Sequence, residues 1–278
     1  MSPPIRILFL TANPSDTAAL QLDEEIRLIS QRIRRGEYRK LFEIRSAPAI
    51  RATDLPYELM DQTPDIVHFS GHGTKAGELC FVSDGDHRTM LIPAQTLARV
   101  FKQFRDRVKC VVLNACYSAI QAAAIAESIP CVVGMSRAVP DSTAIAFAAG
   151  FYEALAFGKT IAEAFELGQT QVELTSPHLI ASADIPQLIA RSGEDPCKLR
   201  LIHLPQPEES ASAHVGSAAA GTLAPTQNQR IKNIRVGGIK NDVVIGQYGN
   251  ATGNKSQELH DVSADGEGNR VVVEQQDS

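Results

Sequence analysis

The sequence lacks the long hydrophobic runs that mark membrane and exported proteins. Its longest apolar stretch, residues 144–152, ends at Glu153 and falls far short of the roughly 20 residues that span a bilayer. The apolar run at residues 5–10 contains Arg6 and is too short for the core of a signal peptide. We therefore expect a cytoplasmic protein without a membrane span or an export signal.

The sequence also lacks any concentration of positive charge. Its 27 basic residues are scattered among 32 acidic ones, and the net charge is −5. Proteins that bind nucleic acid usually gather Lys and Arg on one face or in one stretch. We therefore do not expect a nucleic-acid partner and look for protein substrates or partners instead.

The cysteines do not form the pairs that a disulfide framework or a zinc site would need. There are five of them, an odd number, and no CxxC pair. This pattern favours free thiols in a reducing compartment, with no metal and no cofactor. Cys80, Cys110 and Cys131 lie in strand-like apolar runs, where ordinary core thiols are expected. One of the five cysteines can still be a reactive thiol.

Short β-branched runs alternate with longer amphipathic runs over residues 1–205. This alternation predicts an α/β domain in which a mostly parallel sheet is covered by helices on both faces. The predicted strands are 5–10, 42–46, 65–70, 109–114 and 131–134, with a hairpin over 79–92, and the predicted helices are 16–35, 53–61, 94–104, 118–128, 142–157 and 161–174.

The composition changes after the predicted α/β domain. Residues 206–229 are rich in Pro, Glu, Ser, Ala, Gly and Gln, which predicts a flexible linker. Residues 230–254 mix β-branched residues with Gly and Asn and are expected to be β-prone, and residues 255–278 are expected to form a polar, disordered tail. The sequence thus predicts two functional parts joined by a tether.

A histidine and a cysteine follow two of the predicted central strands. The strand at 65–70 leads into Gly71-His72-Gly73, and the strand at 109–114 leads into Ala115-Cys116. The glycines allow a tight turn that presents the imidazole, and a thiol just before a helix N-terminus is favoured as thiolate. His72 could take the thiol proton and later protonate a leaving amine, while the N–H groups of Gly73 and Cys116 hold the oxyanion.

Each of these residues also has a purely structural interpretation. A cysteine at the end of a buried strand is often a small core residue, and only the combination of the two turns favours catalysis. His68 lies inside a buried strand, and we expect it to be a hydrogen-bonded core histidine and not a second base.

Six segments of the predicted α/β domain carry a further signal: ILFLTANP at 7–14, LDEEIRLI at 22–29, DIVHFSGHG at 65–73, VVLNACYS at 111–118, VVGM at 132–135 and VPDSTAIAFAAGFYEALAFGKTIAEAF at 139–165. Together these segments resemble the CHAT-type branch of the caspase-like peptidase clan. The resemblance implies a caspase-like fold, a catalytic dyad of His72 and Cys116, and peptide hydrolysis through an acyl-enzyme; relatives include caspases, separase and gingipain-like endopeptidases.

The resemblance leaves substrate specificity open. Several Arg- or Lys-specific relatives place an acid two residues before the cysteine, but this position is Asn114, which has no charge to offer a basic side chain. Similarity to separase points instead to Asp141 as an acid that lines the substrate pocket. The alternative is that Asp141 caps the helix that follows it, and one residue can do both.

The segment VVIGQYGN at residues 243–250 resembles the core of RHIM-like amyloid signalling motifs, although Val244 stands where Gln is usual. Such a segment on a flexible tether fits in-register stacking between identical chains. The alternatives are a small hairpin and a disordered tail. We expect residues 231–254 to mediate homotypic assembly or to bind a partner that carries the same motif.

Together these features predict a cysteine endopeptidase that is clustered or recruited by its C-terminal motif. The resemblance to caspase-like proteins implies a role in bacterial defence or cell death. Two alternatives remain open at this point. One is a non-catalytic scaffold or signalling adaptor, and the other is an esterase or transpeptidase that uses the same dyad.

Overall fold

The computed structural model describes residues 3–175 and 183–202, together with the backbone of six strands between residues 228 and 277. The chain divides into two compact units, Met1–Pro207 and Glu208–Ser278. The predicted linker at 206–229 lies almost wholly outside the described residues.

The first unit is built on one six-stranded sheet in the order β2-β1-β3-β6-β7-β8. Five strands are parallel, and β8 pairs antiparallel with β7 at one edge, while β4 and β5 form a separate antiparallel hairpin. The elements are β1 (Ile5–Thr11), α1 (Leu22–Arg35), β2 (Phe42–Ala47), α2 (Leu55–Gln62), β3 (Ile66–Ser70), β4 (Glu78–Val82), β5 (Thr89–Pro93), α3 (Ala94–Lys102), β6 (Cys110–Asn114), α4 (Ala119–Ala126), β7 (Cys131–Met135), α5 (Asp141–Ala156), α6 (Ile161–Thr175) and β8 (Pro186–Ala190).

Apolar side chains alternate along the strands and fill two cores, one on each face of the sheet. On β1, Ile7 and Phe9 belong to the core under α1, α5 and α6, whereas Leu8 and Leu10 belong to the core under α2, α3 and α4. Every residue of β3, β6 and β7 is buried. Each fully buried Leu, Ile or Phe contributes about 1.5–3 kcal/mol, so burial on both faces fixes the central strands. The predicted fold class is confirmed.

The structure differs from the sequence prediction at the start of α1, which begins at Leu22 and not at residue 16. Asp16 was expected to begin this helix, but its carboxylate instead accepts hydrogen bonds from the N–H of Thr89 at 2.9 Å and from the hydroxyl of Thr89 at 2.8 Å. The N–H of Gln21 donates to Asp141 at 2.8 Å. Residues 16–21 are therefore tied to β5 and α5, and these long-range contacts outweigh the local preference for helix.

The antiparallel edge strand β8 is not among the strands that the sequence predicts. It is short, and only Pro186 within it is buried. An edge strand has one paired side only, so its sequence needs no strong apolar alternation.

The helices in the described part of the chain are short compared with the thickness of a membrane. The longest of them, α5, has 16 residues. At 1.5 Å of rise per residue a span of the hydrocarbon core needs roughly 20 residues. Within the described ranges, none of the helices is long and apolar enough to span a bilayer.

The second unit contains six strands that pair in parallel at one constant spacing. Each strand of the first set pairs with the strand 28 residues further along, so that Asn228 is in register with Ser256 and Asp242 with Arg270. The strands are β9 (Asn228–Lys232), β10 (Arg235–Gly237), β11 (Asp242–Gly249), β12 (Ser256–His260), β13 (Ser263–Asp265) and β14 (Arg270–Asp277), and the pairs are β9 with β12, β10 with β13 and β11 with β14.

Three of these strands, β12, β13 and β14, lie within residues 255–278, for which the sequence predicts a disordered polar tail. The hydrogen bonds between parallel strands are made by backbone groups, which every residue except proline carries in full. A strand of polar residues can therefore pair with a strand of similar sequence. A repeat in the sequence carries the signal for this pairing. Residues 229–250 and 257–278 share Gln, Gly, Asn, two adjacent Val and a second Gln at the same 28-residue spacing.

Candidate active site

Two loops bring His72 and Cys116 to the same edge of the sheet. β3 and β6 are hydrogen-bonded parallel neighbours, and Ser70 at the end of β3 is in register with Asn114 at the end of β6. The carboxyl ends of parallel strands meet at one edge, where open α/β sheets place their sites. His72 and Cys116 each lie two residues beyond these strand ends, so the predicted pair occupies neighbouring loops.

The two loops touch at Gly73 and Cys116. A Cβ atom placed on Gly73 would lie only 2.1 Å from the carbonyl oxygen of Cys116 and 3.5 Å from its amide nitrogen. No side chain fits in this gap, so the site requires glycine because of the close approach of two backbones. The contact also places the two predicted oxyanion donors on chain segments that lie side by side.

One nitrogen of the His72 ring is held by the loop before α1. Its Nε2 lies 2.8 Å from the carbonyl oxygen of Ala18. A carbonyl oxygen can only accept, so Nε2 donates, and in a neutral ring Nδ1 is then the unprotonated nitrogen. The main chain of His72 is also fixed, because its carbonyl oxygen accepts from the N–H of Cys80 at 3.0 Å. The half-buried ring therefore has a defined tautomer with Nδ1 available as a base.

The sulfur of Cys116 lies against the loop between β7 and α5. The N–H of Val139 is 3.4 Å from Sγ and the carbonyl oxygen of Val139 is 3.8 Å from it. The carbonyl can accept from a thiol, and the N–H can donate to a thiolate. Both protonation states of the half-buried sulfur thus find a partner in the same residue.

A strained turn leads from Cys116 into α4. Tyr117 has a φ of 57°, in the left-handed region that costs a non-glycine residue roughly 1–2 kcal/mol. The N–H of Tyr117 donates to the backbone carbonyl oxygen of Arg137 at 3.3 Å. Ser118 is buried, donates to the carbonyl oxygen of Leu113 at 2.8 Å and accepts from the N–H of Met135 at 2.9 Å. These bonds between the ends of β6 and β7 hold the turn that presents the cysteine.

The two residues considered for specificity occupy different environments. Asn114 is 5% exposed, and its Nδ2 donates to Glu25. Asp141 is the first residue of α5 and follows Pro140, which occupies the N-cap, so it does not act as the side-chain cap of that helix. Its carboxylate binds the N–H of Gln21 instead. The assignment of Asn114 and Asp141 to a substrate pocket stays a prediction.

The three cysteines expected to be core thiols are buried. Burial raises the pKa of Cys80 and raises the pKa of Cys110 well above its usual range. Burial, with a smaller contribution from the charge of Glu194, raises the pKa of Cys131 to about 12. These thiols stay protonated at neutral pH and are poor nucleophiles. Cys116 is half-buried and Cys197 is exposed.

Three parts of the site were not found from the sequence. Ala18 and Val139 act through backbone groups, which any residue carries, so their side chains gave no signal. Glu25 did have a signal: it precedes Ile29 and Ile33 at intervals of four, which places it on the buried face of α1. An acidic residue in an apolar stripe indicates a buried polar contact. His68 is fully buried and hydrogen-bonded, as predicted.

Comparison with known proteins identifies a family. The family model described as the CHAT domain matches residues 4–213. A "Probable protease" of Gillisia limnaea is 25% identical over 155 residues, which are 54% of this chain and 26% of that protein. A "Roc-COR-CHAT protease" of an unknown prokaryotic organism is 26% identical over 169 residues, which are 56% of this chain and 15% of that protein. The chain thus covers only a small part of either relative.

Solved structures of cysteine peptidases also resemble the chain. The Arg-specific cysteine proteinase gingipain R matches with a TM-score of 0.48 at 12% identity, covering 70% of this chain and 47% of the other. A secreted C11 cysteine protease from Bacteroides thetaiotaomicron matches with a TM-score of 0.48 at 9% identity, covering 67% and 66%. Caspase-1 from Spodoptera frugiperda matches with a TM-score of 0.44 at 11% identity, covering 72% and 92%.

The close contact of the two loops predicts the effect of Gly73→Ala. The added methyl group overlaps the Cys116 carbonyl, so the loops must separate, at a cost of about 1–3 kcal/mol in the free energy of unfolding. We expect slower alkylation of Cys116 by iodoacetamide, measured by peptide mass spectrometry, and a lower midpoint of denaturant unfolding.

Gly85→Ala is the matched control. Gly85 has a φ of 102° and nothing within 4 Å of the added methyl group, so this variant loses stability through backbone strain alone. Its Cys116 should react at the wild-type rate. Equal alkylation of Cys116 in wild type and Gly73→Ala would show that the loop contact does not set the environment of the thiol.

Proposed function

The chain belongs to the CHAT domain family, and we propose that it is a cysteine endopeptidase in which His72 and Cys116 form the catalytic dyad. The observation that carries this proposal is the contact between Gly73 and Cys116, which puts the two loops side by side. The Ala18 carbonyl supports it, since it leaves Nδ1 of His72 as the base.

The proposed reaction begins with transfer of the Cys116 proton to His72. The thiolate attacks the carbonyl carbon of the scissile peptide bond, and the N–H groups of Gly73 and Cys116 stabilise the resulting oxyanion. His72 then protonates the leaving amine as the C–N bond breaks, which leaves a thioester on Cys116. Water, deprotonated by His72, attacks the thioester and releases the new carboxyl terminus and the thiol.

The experiment for this proposal compares wild type, Cys116→Ala and His72→Ala on a mixed peptide library. We expect wild type to cut peptides at defined sites, and both variants to lose activity by about 10³-fold or more, because general base and nucleophile act as one unit. Mass spectrometry of the products identifies the cut sites and the residue before each cut.

Cys197→Ala is the control, because it removes the exposed cysteine and should leave cleavage unchanged. Equal cleavage by wild type and Cys116→Ala would rule out the dyad. Absence of cleavage by all proteins, alone or assembled, would favour a non-catalytic scaffold. Release of an ester product without peptide cleavage would favour an esterase that uses the same residues.

We further propose that residues 231–254 cluster the enzyme with copies of itself or with a partner that carries the same motif. The constant 28-residue spacing of the paired strands supports this, because β11 and β14 align residue by residue as two copies of one pattern. Each of the three two-stranded sheets has outer strand edges, to which the strands of a further copy can add in the same register. A role in bacterial defence or cell death rests on the family resemblance alone.

Deletion of residues 229–278 tests this clustering. We expect the chain of residues 1–278 to assemble at micromolar concentrations and the truncated chain to remain monomeric, as measured by analytical ultracentrifugation. Removal of only residues 256–278 should also prevent assembly, because it removes β12, β13 and β14, one strand of each pair. If both truncated proteins assemble as the chain of residues 1–278 does, the C-terminal repeat is not the assembly element.

A further inference from the structure

Five polar residues form a buried cluster beneath the candidate active site. They lie on the face of the sheet that α1 and α5 cover, and none is more than 5% exposed. The buried cluster consists of Glu25 of α1, His68 and Ser70 of β3, Asn114 of β6 and Tyr152 of α5.

The Glu25 carboxylate is the centre of the buried cluster. Its Oε1 accepts from His68 Nε2 at 3.0 Å and from Asn114 Nδ2, and its Oε2 accepts from the hydroxyl of Ser70. Burial of an ionised carboxylate costs several kcal/mol unless hydrogen bonds compensate. Three donors on two adjacent strands supply this compensation for Glu25, which is 2% exposed.

Two of these donors lie close in sequence to the proposed dyad. Ser70 is two residues before His72, and Asn114 is two residues before Cys116. Ser70 and Asn114 are also register partners across β3 and β6. One carboxylate therefore binds the end of each strand at the point from which the catalytic loops depart.

The rest of the buried cluster keeps Glu25 in place. The His68 ring stacks on Phe9 with centroids 4.4 Å apart, and its Nδ1 lies 3.1 Å from the hydroxyl of Tyr152. Burial is the main cause that raises the pKa of Tyr152 well above its usual range, so the phenol stays protonated and donates to Nδ1. His68 Nε2 then carries the proton that it donates to Glu25. A continuous chain of hydrogen bonds thus links α5 to the carboxylate.

We propose that Glu25 is a positioning residue, which sets the relative placement of His72 and Cys116 by binding Ser70 and Asn114. This inference rests on the proposed dyad. It also gives a reason for the amide at position 114: Asn114 donates to the carboxylate of Glu25, whereas a second carboxylate there would repel it. The acid and the amide act as a matched pair.

The test is an exchange of the acid and the amide. Glu25→Gln keeps the shape of the side chain and removes its charge, and Asn114→Asp places two carboxylates in contact. We expect each single variant to lower kcat by about 10²-fold with KM nearly unchanged, because small displacements of reacting groups have effects of this size. The double variant Glu25→Gln, Asn114→Asp restores one acid and one amide and should recover most of kcat.

Alkylation of Cys116 by iodoacetamide gives a readout that needs no substrate, with Cys197 in the same molecule as reference. In wild type Cys116 should react faster than Cys197, and in each single variant its rate should fall toward that of Cys197. Ser70→Ala removes one tie and leaves Glu25 bound to Asn114, so a smaller loss is expected. The midpoint of denaturant unfolding is measured for every variant. A variant that keeps its midpoint but loses the fast alkylation has lost the placement of His72 and Cys116 and not its stability.

The outcomes distinguish the two proposals. If wild-type Cys116 reacts no faster than Cys197 and no peptide is cut, the proposed function fails. If wild type is active, but Glu25→Gln retains kcat and the fast alkylation of Cys116, Glu25 is not a positioning residue. Reduced stability with unchanged kcat would likewise assign it a structural role only. Failure of the double variant to exceed either single variant would contradict the matched pair of acid and amide.

Discussion

The arrangement of the candidate active site depends on the close approach of two loops, the one that follows β3 and the one that follows β6. The parallel register fixes Ser70 opposite Asn114, and from there the two loops converge until Gly73 meets the carbonyl group of Cys116. Neither loop could hold this geometry alone, since Tyr117 must occupy a strained backbone conformation. The fully buried strands on both sides supply the rigidity that makes such strain tolerable.

Much of the fold could be predicted from local patterns. The apolar runs of β3, β6 and β7 predict central strands of a parallel sheet, and the structure buries these strands on both faces. The start of α1 could not be predicted, because the contacts of Asp16 with Thr89 and of Gln21 with Asp141 join residues far apart in sequence. Local propensity contains no information about such partners.

Part of the candidate site could be proposed from the sequence. His72 and Cys116 stand out because each follows a predicted buried strand, and Gly71 and Gly73 because they allow a tight turn. The close approach of Gly73 to the Cys116 carbonyl is visible only in the structure. Ala18 and Val139 were not predictable, because they act through main-chain groups. The position of Glu25 in the apolar stripe of α1 was a readable signal, but its partners on β3 and β6 were not.

In the C-terminal unit, unlike the first unit, the strands are indicated by a sequence repeat and not by apolar runs. Residues 256–277 are mostly polar in composition, yet the strands β12, β13 and β14 within this stretch pair with β9, β10 and β11 at a constant spacing. A unit of the CHAT domain family and a self-similar β unit lie on one chain. Under the proposed function, clustering through the β unit raises the local concentration of the protease without any change in its active site.

The central claim is that Cys116 is a nucleophile activated by His72. In the most direct measurement, the protein is treated with a library of peptides that end in an electrophilic acyloxymethyl ketone. Mass spectrometry then locates the thioether that joins a cysteine sulfur to the peptide. The account predicts a peptide adduct on Cys116, formed with loss of the acyloxy group as a carboxylate, and its loss in His72→Ala. An adduct on Cys197 only, or equal modification of Cys116 in His72→Ala, would contradict it.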